Sequence, residues 1–72
     1  MREEEFETLA MMIEHLESAR EIAYKKSVYY FNNKMYDKSL IFEGLESRLT
    51  LEIQLLEDFI KSYNVNKESE EE

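Results

Sequence analysis

At 72 residues the chain has room for one domain, and its formal charge of −8 comes from 17 acidic residues against 9 basic ones. A domain of that size buries only ~60% of the surface its unfolded chain would show, which makes it marginal without a staple. Cys is absent, so a disulfide framework, a thiolate metal site and a thiol nucleophile are excluded, and oligomerisation or a partner protein is the expected source of stability.

Pro is also absent and Gly occurs once, at position 44, so the punctuation of an all-β chain is missing. Glu, Leu, Lys, Ala and Met, which favour helix, fill the sequence instead. No apolar run reaches the ~18 residues of a membrane span, and Met1-Arg2-Glu3-Glu4-Glu5 is the reverse of a signal peptide. The expectation is a cytoplasmic protein with no membrane contact.

In chain order, Phe6, Leu9, Met12, Ile13, Leu16, Ala19, Ala23, Tyr24, Tyr30 and Phe31 recur with helical spacing and predict a first helix over about 3–32. Glu3, Glu4, Glu5 and Glu7 sit in its opening turns, where the helix dipole favours negative charge. Asn32 and Asn33 are candidates for the left-handed residue that closes it. Asp37 is a candidate N-cap for the second helix, with Tyr36 and Ile41 as a hydrophobic staple.

That second helix is expected over about 37–63, and its apolar residues span an arc of roughly 200°, wider than one neighbour can cover. Beyond it, residues 64–72 are acidic and aperiodic, the pattern of a disordered tail. Gly44 points away from the arc and costs about 1 kcal/mol of helix stability, for no reason visible in the sequence.

Two long helices joined by about four residues form an antiparallel hairpin, with Leu16 near Gln54 and Arg20 near Thr50. The predicted fold class is therefore all-α, an αα-hairpin that dimerises into a four-helix bundle. Charge predicts how the copies stack. Between residues 20 and 38 lie Arg20, Lys25, Lys26, Lys34 and Lys38 against Glu21 and Asp37, while Glu3, Glu4, Glu5 and Glu7 crowd the other end. Loops at opposite ends bring opposite charges together. Ile41, Leu51, Leu55 and Phe59 are the predicted dimer interface.

Arg20, Arg48 and Glu52 fall inside the apolar arcs and predict a buried ion cluster that sets register, because buried charge is costly unless paired. The Glu-x-x-His spacing of di-iron bundles is missing around His15, which is expected at the rim and not on a metal. Glu14, Glu17 and Glu21 make an acidic row, expected as a solvated face. No catalytic residue, metal or cofactor is predicted.

Lys25, Lys26, Tyr29, Lys34 and Lys38 gather at the loop end, a possible surface for an anionic partner, since cations interleaved with aromatics suit single-stranded nucleic acid. The acidic balance of the whole chain argues against that partner. Three local resemblances follow. Tyr36-Asp37-Lys38-Ser39-Leu40 resembles the turn between the helices of a tetratricopeptide unit, without the repeat. Gln54 to Tyr63 resembles the closing helix of small sporulation aspartyl-phosphate phosphatases, with Ile53 where that motif has Ser. The architecture resembles the ROP-type RNA-binding hairpin dimers of plasmids.

The functional expectation is a small interaction or regulatory module acting through protein–protein contacts. The alternatives are an acidic inhibitor that mimics nucleic acid and blocks a basic groove, of phage or mobile-element origin, and a ROP-like RNA-binding dimer using the Lys and Tyr end.

Overall fold

The computed structural model describes the backbone of residues 2–71 and the side chains of residues 2–62. It contains two helices that pack against each other, α1 (Glu3–Asn32) and α2 (Tyr36–Glu71). The expected acidic tail over 64–72 and the expected end of α2 at Tyr63 fall on residues whose side chains lie outside that description.

Backbone hydrogen bonding at the turn decides where α1 stops. Lys34 N–H donates to Phe31 O at 3.0 Å and Met35 N–H donates to Tyr30 O at 2.8 Å, the paired bonds of a Schellman motif. The motif needs a left-handed residue between its two donors, and Lys34 takes it at φ 61°. This corrects the expectation that Asn32 or Asn33 would do so. Asn33 stays at φ −94° as the C-cap, its Nδ2 donating at 2.7 Å to Tyr29 O, which also accepts from the Asn33 backbone N–H at 3.1 Å.

Because the turn consumes only Asn33, Lys34 and Met35, α2 begins at Tyr36 and Asp37 sits inside its first turn, not at its cap. Asp37 still opposes the helix dipole there. The staple between Tyr36 and Ile41 gives way to another contact: the Tyr36 ring meets Phe31 edge-on, centroids 5.4 Å apart, while Ile41 is exposed.

Between the helices the half-buried and buried positions follow a heptad. On α1 that repeat runs through Leu9, Ile13, Leu16, Arg20, Ala23, Ser27 and Tyr30, with Ala10 and Ala19 half-buried beside it; on α2 it runs through Ser39, Phe42, Glu46, Leu49, Ile53, Leu56 and Ile60, with Glu57 half-buried beside it. Steps alternating between three and four residues are those of a two-stranded coiled coil. Small residues dominate near the turn. Ser39 Oγ donates to Ser27 O across the interface at 2.8 Å, and Tyr30 stacks on Phe42 with centroids 5.6 Å apart.

Two helices side by side make a single layer, measuring 58 × 17 × 11 Å, whereas a stable domain packs at least two layers around its core. The chain exposes 5988 Å² at a mass of 8.7 kDa, where a compact protein of that mass would expose about 4,700 Å².

Gly44 lies mid-helix, and a Cβ built on it meets nothing within 4 Å. Gly44→Ala is therefore expected to stabilise the protein by roughly 0.5–1 kcal/mol, through helix propensity alone. Chemical denaturation would read this as a higher midpoint with an unchanged slope; a lower midpoint would mean that something packs closely on Gly44 in solution.

Candidate functional site

Each broad face of the ribbon is built from one flank of both helices. On one face Met12, His15 and Leu16 of α1 join Glu52, Leu55 and Leu56 of α2 around an open hollow of about 460 Å³. Farther along the same flank of α1, Ile22, Lys25, Lys26, Tyr29 and Tyr30 line a second hollow of about 510 Å³. The opposite face is more polar, with Glu17, Arg20, Glu21, Tyr24 and Glu46 in one hollow and Ser27, Val28, Phe31, Ser39 and Glu43 in another.

The predicted interface residues Ile41, Leu51, Leu55 and Phe59 are all exposed in the single hairpin, at 61, 59, 59 and 55%. Ile41, Leu45, Leu55 and Phe59 fall on one line of the helix surface, together with Arg48 and Glu52. Leu51 lies off that line. What the sequence shows as one wide arc is two stripes, one packed on α1 and one facing outward.

The same division separates the three members of the predicted ion cluster. Arg20 is half-buried between the helices, and the acid beside it there is Glu46. Arg48 and Glu52 belong to the outward stripe and are exposed. Among the described residues the single ion pair is Lys25 with Glu21, 3.2 Å apart. Within one hairpin the cluster is thus not assembled. Glu46, Ser27 and Ser39 are polar seam positions not expected from the sequence, and the signal was present for Glu46, which keeps heptad spacing with Phe42, Leu49 and Ile53.

Of the loop-end cations, Lys25 is engaged by Glu21, and Lys38 Nζ sits 5.5 Å from the centroid of the Tyr30 ring, a cation–π distance. Lys26 and Tyr29 share the hollow beside Ile22, and Lys34 forms the turn with Lys38 beside it. Among the described residues no three His, Cys, Asp or Glu side chains gather as a metal site requires, and no helix is long and apolar enough to cross a membrane.

Protein-family models, curated proteins and solved structures gave no match to the chain. The chain's chief surface property is an exposed, largely apolar face with Arg48 and Glu52 near its middle, on a fold too thin to cover it.

Proposed function

We propose that the chain is a non-catalytic, cytoplasmic interaction module that acts through protein–protein contacts, and that its first partner is a second copy of itself. The two hairpins stack on their apolar faces, loops at opposite ends, as a four-helix bundle. One observation carries this: among the described residues the apolar side chains buried in the single hairpin are Ala23 and Ile53 alone, while Met11, Met12, Ile22, Ile41, Leu55 and Phe59 face outward. Full burial of a Leu, Ile, Met or Phe side chain contributes about 1.5–3 kcal/mol. A second layer supplies that burial, and the hairpin cannot.

Charge selects the stacking. The turn end of the ribbon bears Lys25, Lys26, Lys34 and Lys38, and the open end bears Glu3, Glu4, Glu5 and Glu7. Opposed loops place each basic end over an acidic one, whereas loops at the same end set like charges together.

Sedimentation equilibrium tests the reading directly. The expected mass is twice 8.7 kDa, with a melting temperature that rises with protein concentration, as mass action requires when folding and association are coupled. A strict monomer with a concentration-independent melt would overturn it.

A further inference from the structure

The outward stripe of α2 has a symmetric spacing and is complementary in charge to its own reverse. Ile41, Leu45, Arg48, Glu52, Leu55 and Phe59 are spaced four, three, four, three and four residues apart, symmetric about Thr50. Reversing the helix exchanges Ile41 with Phe59, Leu45 with Leu55, and Arg48 with Glu52. A surface that is its own complement under reversal is what a two-fold axis between antiparallel copies demands.

We propose that this stripe is a self-recognition element. Two α2 helices pack antiparallel about a two-fold axis at the level of Thr50, and Arg48 of each copy pairs with Glu52 of the other. The two reciprocal ion pairs lie at the centre, between layers of Leu45 on Leu55 and Ile41 on Phe59. This deepens the dimer reading given above and rests on it.

Three further observations support the element. The first is the state of the two charges. Arg48 and Glu52 are four residues apart on one helix, yet they are exposed and form no ion pair among the described residues. Glu21 and Lys25, with the acid first, do pair at 3.2 Å. Base-before-acid is the weaker order within a helix, which leaves the Arg48 and Glu52 side chains available to a second copy.

The second is α1, whose residues at the level of Thr50 are small. Hairpin packing sets Leu16 beside Leu55 and Leu56, and Arg20 beside Glu46, so the level of Thr50 falls next to Ser18 and Ala19. Reversal about that point exchanges His15 with Ile22, one on either side of the small Ala19. A small residue, Ala19, therefore stands at the level of the axis, where the α1 helices of the two copies would approach each other.

The third is register. A slip of one heptad would set Arg48 against Leu45 of the other copy and Glu52 against its Ile41, leaving charges buried and unpaired. The ion pairs thereby select a single alignment, as polar groups at coiled-coil core positions do.

Charge reversal tests the element in sedimentation experiments. Arg48→Glu alone opposes Glu to Glu, and Glu52→Arg alone opposes Arg to Arg; each is expected to weaken self-association by about tenfold or more. An equimolar mixture of the two single variants restores complementary pairs and is expected to form a heterodimer. The double variant R48E/E52R is expected to self-associate like the original chain. Rescue in the mixture also shows that each single variant can fold. If the original chain dimerises but the single variants dimerise equally well, or their mixture stays monomeric, the reciprocal pairing is wrong while the dimer stands. If the original chain is itself monomeric, both fall.

Discussion

Leu55→Glu is expected to abolish self-association and, at micromolar concentration, to remove most of the helical signal. In the single hairpin Leu55 is 59% exposed, so a Glu there costs almost nothing within the chain. In the dimer it would replace an apolar side chain at the interface by a charge without a partner. Losing the burial of one Leu per copy costs about 1.5–3 kcal/mol, twice per dimer, before the desolvation of the carboxylate is added. Helix content falls with the mass because a one-layer ribbon has too little core to stay folded alone. Circular dichroism and sedimentation over a dilution series would show the two losses together. A variant with the original mass and melting curve would place this face in solvent in the native protein and remove the basis of the four-helix bundle.

Ile53→Ala, two residues away, is expected to fail differently. Ile53 is 4% exposed and lies in the seam against α1, so its truncation leaves a gap inside each hairpin. Large-to-small changes of this kind cost about 2–5 kcal/mol. The seam is narrow and can partly close, which favours the lower half of that range. For a chain of this length total stability is of order 4–10 kcal/mol, so the loss is a large share of it. Denaturant melts should show a lower midpoint at every protein concentration, with the species that remains folded still dimeric. An unchanged midpoint would mean that α1 and α2 do not pack through Ile53.

These substitutions sit on two stripes that the sequence shows as one. On a wheel of 3.6 residues per turn a heptad stripe drifts by ~20° per repeat, so over a helix this long two neighbouring stripes blur into one broad arc. That blurring placed Arg20, Arg48 and Glu52 in one cluster. Packing separates them: α1 takes Phe42, Glu46, Leu49, Ile53 and Leu56, and leaves Ile41, Leu45, Arg48, Glu52, Leu55 and Phe59 outside. Leu51, expected at the interface with Leu55, belongs to neither stripe for the same reason.

The turn teaches a similar lesson. Asn32 and Asn33 have the residue type that favours the left-handed conformation, but the Schellman bonds fix which position must adopt it, and Lys34 is there. Residue preference is worth about 1–2 kcal/mol, less than the two backbone bonds and the helix contacts that depend on the turn geometry.

By itself the sequence determined that the chain is helical, that it breaks once near Asn33 and that its two halves fold back on each other, because periodicity and the lack of Pro are local properties. The pattern also set Ile41, Leu55 and Phe59 on a flank away from α1, but it put Leu45 against α1 and Leu51 on that flank; only the tertiary structure decided that Leu45 stays outside and that Leu51 lies off the stripe. That division depends on the register of one helix against the other, which is set by the length of the turn, by the Ser39 to Ser27 hydrogen bond and by the burial of Ala23. Once it is made, the outward stripe and its reversed symmetry about Thr50 can be seen.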